Sequence, residues 1–113
     1  MYANRQQRLS NQLQQEIATI IHRDVKDVRL GFVTITRVEL SRDGSHANVG
    51  FSCLGGAEER SQSQAALDDA VGFVRGLLRR RLRLKVIPAV VFRFDESIAQ
   101  AIAMDAKLDQ FKS

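Results

Sequence analysis

Pro88 is the only proline in this 113-residue chain, and it stands between two incompatible periodicities. Before it, Ala66, Leu67, Ala70, Val71, Val74, Leu77, Leu78 and Leu82 fall within one stripe of a helical projection. After it, Val90, Phe92 and Phe94 alternate with Val91 and Arg93, the two-residue period of a strand. Proline has no backbone donor and pushes the preceding residue, Ile87, towards extended geometry. The chain must therefore pass from helix to strand at this point. The strand, about Ala89–Phe94, then needs neighbours to pair with.

The neighbours lie upstream. Across Phe32–Leu40, Val33 and Ile35 alternate with Thr34 and Thr36, and β-branched residues dominate. The phase shifts at Arg37–Val38, where Val38 and Leu40 become the next apolar pair, so a bulge is expected there. Ser41-Arg42-Asp43-Gly44-Ser45 reads as a turn, because Asp-Gly tolerates the positive φ of a tight connection. His46–Leu54 alternates cleanly, with Ala47, Val49, Phe51 and Cys53 on one face, and completes a hairpin that ends at Gly55-Gly56. Ahead of the hairpin, Leu9, Leu13, Ile17, Ile20 and Ile21 keep helical spacing over about Arg5 to Asp24. Gly72 lies inside the second helical stripe, where it costs about 1 kcal/mol relative to alanine, and a kink is its expected reason. Ile98 to Phe111 reads as a weaker terminal helix. The expected order is α-β-β-α-(kink)-α-β, an α+β domain over residues 1–113 with a helical layer on a three-stranded sheet.

Charge is unevenly spread. Seventeen basic residues against thirteen acidic give a formal +4, yet from Gly72 to Phe94 there are Arg75, Arg79, Arg80, Arg81, Arg83, Lys85 and Arg93 with no acid. Arg75, Arg79 and Arg83 share one helical face at i, i+4 and i+8; Arg80 flanks it and Lys85 extends it towards the third strand. Arg81 projects into the apolar stripe, so its stem snorkels or the helix ends there. Long cationic side chains over an ordered element attract a polyphosphate backbone, which makes nucleic acid the favoured ligand. A protein partner, an anionic membrane or a plain solvated face remain the competing readings.

Catalytic classes find little support. The single cysteine, Cys53, sits on the apolar face of a strand as a small core residue, and it permits no internal disulfide. His22 and His46 share no zinc spacing with it, so no metal or cofactor is expected. Glu58-Glu59 and Asp68-Asp69 are adjacent residues, about 100° apart on a helix, and form no shared dyad. Neither glycine-rich phosphate-loop pattern occurs. No apolar run approaches the roughly 20 residues that cross a bilayer, and the first residues carry no apolar secretory core. A cytoplasmic monomer is the expectation.

These residues together resemble the bacterial ribosome-binding factor A family. The likeness runs from Arg8-Leu9 through Glu16-Ile17-Ala18, and from Val33-Thr34 to Val38-Glu39-Leu40-Ser41-Arg42-Asp43. It continues through Ala70-Val71-Gly72-Phe73-Val74-Arg75, Arg83-Leu84, and Pro88, Phe92 and Asp95-Glu96-Ser97. The resemblance implies a type II KH-like fold in which an Ala-x-Gly kink, here Ala70 and Gly72, replaces the Gly-x-x-Gly loop that clamps single strands in ordinary KH domains. It further implies a non-catalytic assembly factor. Such a factor binds the free small (30S) ribosomal subunit, near ribosomal proteins, and assists late maturation and processing of 16S rRNA, including growth in the cold. Arg75, Arg79, Arg80, Arg81, Arg83 and Lys85 are then the expected RNA-binding set. A generic KH-like RNA-binding module and a protein-interaction adaptor are the alternatives. Where the family often has Asp-Pro-Arg, this chain has Asp27-Val28-Arg29, so a looser connection after the first helix is expected. The polar tail is shorter than in some members, and tail-dependent contacts are not expected.

Overall fold

Asn4 opens the first helix: its Oδ1 accepts from the backbone N–H of Gln7 at 2.7 Å, satisfying a donor the helix leaves free. Helix α1 runs over Arg5–Thr19 and passes into a π-helical turn over Ile20–Asp24, closed by the Val25 N–H donating to the Ile20 carbonyl at 3.0 Å. Together they cover the expected span. Within the widened turn both Ile20 and Ile21 are buried, alongside Leu13 and Ile17 of the helix. The computed structural model describes residues 4–97; the terminal helix expected over Ile98–Phe111 lies outside them.

The connection to the sheet is fastened rather than loose. Arg29 donates through Nε and Nη2 to both carboxylate oxygens of Asp27, at 3.0 and 2.6 Å, and its Nη2 reaches Asp69 at 2.9 Å. Val28, between the paired residues, is fully exposed. The Leu30 N–H closes the turn by donating to the Asp27 carbonyl at 3.0 Å, with the ion pair beside it.

Strands β1 (Val33–Leu40) and β2 (His46–Cys53) form the antiparallel hairpin, and β3 (Ala89–Phe94) pairs with β2 in parallel, giving the order β1-β2-β3. The register breaks between Ile35 and Arg37, which face Phe51 and Gly50. Thr36 is thus the extra residue, one position before the expected shift. The bulge lets Val33 and Ile35 before it, and Val38 after it, all point into the core. At the turn, Gly44 takes φ +76°, and Asp43 Oδ1 accepts from the Ser45 N–H, the Ser45 hydroxyl and the Ser41 hydroxyl.

Helix α2 spans Ala57–Arg81 as one element, unbroken at Ala70–Gly72. The two helices expected on either side of Ala70–Gly72 are thus one element. Among the described residues, nothing lies within 4 Å of a Cβ added at Gly72, so no close backbone approach there requires glycine. The buried stripe also runs straight past it through Ala66, Leu67, Ala70, Val74 and Leu78. Both helices cover one sheet face, burying Val49, Phe51 and Phe92; Cys53 is half-buried at the margin of this core. Polar helix side chains reach the outer strands. Gln6 donates to the Leu40 and Ser41 carbonyls and Gln14 to that of Thr36, whereas Gln64 donates to Phe92.

Candidate nucleic-acid interface

A groove of about 450 Å³ opens where the start of α1, the β1–β2 turn and the segment entering β3 meet. Among the described residues its cations are Arg5 and Arg8 from α1 and Arg83 and Lys85 from beyond α2, and its carboxylate is Asp43. All four basic side chains belong to exposed residues. Helix α1 has no acid in its first turn, so the positive end of its dipole adds to the same field. Asp43 stays ionised: the Ser45 hydroxyl and N–H, then the Ser41 hydroxyl, hold its pKa down to about 2. Its Oδ1 is already engaged by the turn, and the four cations outweigh the charge.

The expected RNA-binding set divides into three. Arg83 and Lys85 line the groove. Arg79 and Arg80 are exposed in the last turn of α2, where cations also suit the helix dipole. Arg75 and Arg81 are engaged by the protein itself. The Arg75 guanidinium donates to the Pro88 carbonyl at 2.9 Å and to that of Ile87 at 3.2 Å, tying α2 to the entry of β3. Arg81 Nη1 lies 3.2 Å from Glu16 Oε1 and 3.1 Å from Asp24 Oδ2. The Asp24 oxygen is buried and its contact is close but poorly aligned, so the pairing is one of charge more than of a directed hydrogen bond. Asp24 and then Glu16 raise the Arg81 pKa, which keeps the side chain cationic within the fold. Ala70 is buried in the α2 stripe and Gly72 is exposed.

Arg5 and Arg8 were missed by sequence reasoning. Their signal was present: Arg5, Arg8 and Gln12 recur at i, i+3 and i+7, beside Leu9 and Leu13 on the groove side. Asp95 was missed as well. It is buried on the open side of the sheet and accepts from the Thr36 hydroxyl at 2.7 Å, from Arg37, and from the Ser97 N–H and hydroxyl. These donors, with Ser97 and Thr36 foremost, hold its carboxyl well below the usual carboxylate range.

Two helices on one face of a mixed three-stranded sheet, in this chain order, make a KH-like α+β protein, here with a basic groove at one end. The crystal structure of ribosome-binding factor A from Thermus thermophilus is similar with a TM-score of 0.73 and 27% identity, over 81% of this chain and 97% of that one. The solution structure of a Thermotoga maritima protein described as a putative ribosome binding factor A gives 0.76 and 36%, over 86% and 92%. The chain belongs to the ribosome-binding factor A family, whose model matches residues 5–108. The ribosome-binding factor A of Pseudomonas fluorescens (strain SBW25) is 41% identical, over 95% of this chain and 83% of that protein. That of Natranaerobius thermophilus is 42% identical, over 97% and 84%. A homology model of the Thermus thermophilus factor, fitted into the cryo-EM map of a 30S complex, is also similar, with TM-score 0.66 and 29% identity over 79% of this chain and 93% of that one.

Proposed function

We propose that this protein is a cytoplasmic, monomeric assembly factor that binds the free small ribosomal subunit and assists late maturation and processing of 16S rRNA, including in the cold. The basic groove carries the reading: four exposed cations converge on one concavity at one end of the fold. Family membership and the relative fitted into a 30S complex supply the partner. Arg5, Arg8, Arg83 and Lys85, with Arg79 and Arg80 beside them, neutralise phosphates that would otherwise repel one another. Arg75 and Arg81 hold the scaffold beneath. The factor acts by binding energy alone, and it shifts the rRNA between arrangements only by its difference in affinity for them.

The test is co-sedimentation with isolated small subunits and with assembled ribosomes across a salt series. Binding should favour the free subunit. Each groove charge removed should flatten the log–log salt slope by about 0.7–0.9. An Arg5→Gln, Arg8→Gln, Arg83→Gln, Lys85→Gln variant that stays folded and keeps the wild-type slope would remove the groove from the interface.

A further inference from the structure

Cations alone do not describe the groove. Alongside Arg5, Arg8, Arg83 and Lys85, the groove has an apolar lining, its floor, of Leu9, Leu40, Leu84 and Val86, the first three packed partly against the core. None of these four is fully buried, and Val86 is 49% exposed. Contact with a phosphate backbone requires only the rim. A duplex keeps its bases stacked inside and offers phosphates and sugars outward, so it leaves such a floor wet. An unpaired nucleotide brings both complements at once, an anionic phosphate and a flat, largely apolar base. The volume, about 450 Å³, falls in the range of roughly 300–1,000 Å³ found for small-ligand pockets. The place also differs from the strand clamp of ordinary KH domains, which sits between two helices; here the corresponding stretch is the continuous α2 through Gly72.

We propose that the groove receives a single unpaired RNA nucleotide, its base laid on Leu84 and Val86 with Leu9 and Leu40 behind, and its flanking phosphates held by the rim cations. This rests on the proposed binding of rRNA and adds the conformation of the RNA at the contact. Recognition by an aliphatic floor is tolerant of base identity, because every base has an apolar face. The factor would accordingly favour RNA arrangements in which a nucleotide at the contact is out of the stack.

The experiment measures binding of the full chain to three short RNA probes by fluorescence anisotropy: a single strand, the same strand with one central abasic ribose, and the matching duplex. The intact single strand should bind about tenfold more tightly than the abasic one, as expected if the base takes about 60 Å² of apolar surface out of water. A Leu84→Ser, Val86→Ser variant, checked for folding by circular dichroism, should lose that difference while keeping the wild-type salt slope. Equal binding of intact and abasic strands by the wild-type protein overturns the proposal, as does preference for the duplex. Capture of none of the probes, with groove-dependent binding of small subunits retained, also overturns it and leaves the proposed function standing. Subunit binding that ignores the groove charges removes the proposed interface itself.

Discussion

Gly50 shows how much one missing side chain can decide. A Cβ there would lie 2.8 Å from Thr36 Oγ1 and 3.1 Å from Arg37 Cγ, within the cluster that holds Asp95. The bulged Thr36 hydroxyl has little freedom to retreat, because it donates to Asp95 at 2.7 Å. Gly50→Ala should therefore destabilise the fold by about 1–3 kcal/mol, as overpacking does, read as a lower urea midpoint at unchanged m-value. An unshifted midpoint would mean that Thr36 moves aside freely. Asp95 itself makes stability depend on acid. Its folded pKa is depressed, so its contribution is complete above the unfolded value of about 4 and is lost as pH falls through the lower folded value. Asp27 and Asp43, each lowered to about 2, act in the same sense between about pH 4 and pH 2. Urea midpoints should be flat from neutrality to about pH 5 and fall below about pH 4, more shallowly in Asp95→Asn. An identical acid limb in the variant would show that other carboxylates set it.

Helix α2 separates what periodicity can say from what a single residue can. The apolar stripe was legible, and Ala66, Leu67, Ala70, Val74 and Leu78 are all buried. The break expected at Gly72 rested on the family resemblance and on a local penalty of about 1 kcal/mol, smaller than the roughly 1.5–3 kcal/mol gained by burying each large residue of the continuing stripe. The stripe prevails, and both helix glycines face open space. Gly72→Ala and Gly76→Ala should each raise stability by about 0.5–1 kcal/mol, seen as higher melting temperatures. A fall for Gly72→Ala alone would restore the bend. The arginines of this helix also differ in ways their shared face concealed. Arg75→Ala removes two bonds to backbone carbonyls and should cost about 1–2 kcal/mol, whereas Arg79→Ala should stay within about 0.5 kcal/mol of the parent. Equal melts for the pair would make Arg75 a surface charge after all. Arg81, which did not fit the stripe, marked a real feature. Its partners Glu16 and Asp24 come from α1 and the π-helical turn, and no local pattern announced that turn.

Across the whole molecule, the succession of helices and strands followed from alternation, turns and the one proline, whereas the parallel pairing of β3 with β2 did not. The groove followed only in part. Arg83 and Lys85 were visible as a cluster, but Arg5 and Arg8 reach them from the other end of the chain, and only folding makes that adjacency. Charge is correspondingly one-sided in effect. On the open sheet face, Arg37 is bound to Glu39 and Asp95, and exposed Arg93 lies on β3 at the opening around Asp95, away from the groove residues. Arg93→Ala should leave small-subunit binding and its salt slope unchanged, while Arg83→Ala with Lys85→Ala weakens both; equal losses in the salt titration would point to a field of overall charge instead of a docking end. The helix side chains that reach the outer strands have a wider consequence. With Gln14 and Gln6 on the Thr36 and Leu40 carbonyls of β1, and Gln64 on that of Phe92 in β3, carbonyls on both outer strands already have side-chain donors. A foreign strand pairing at those positions would have to displace these donors before it could extend the sheet there.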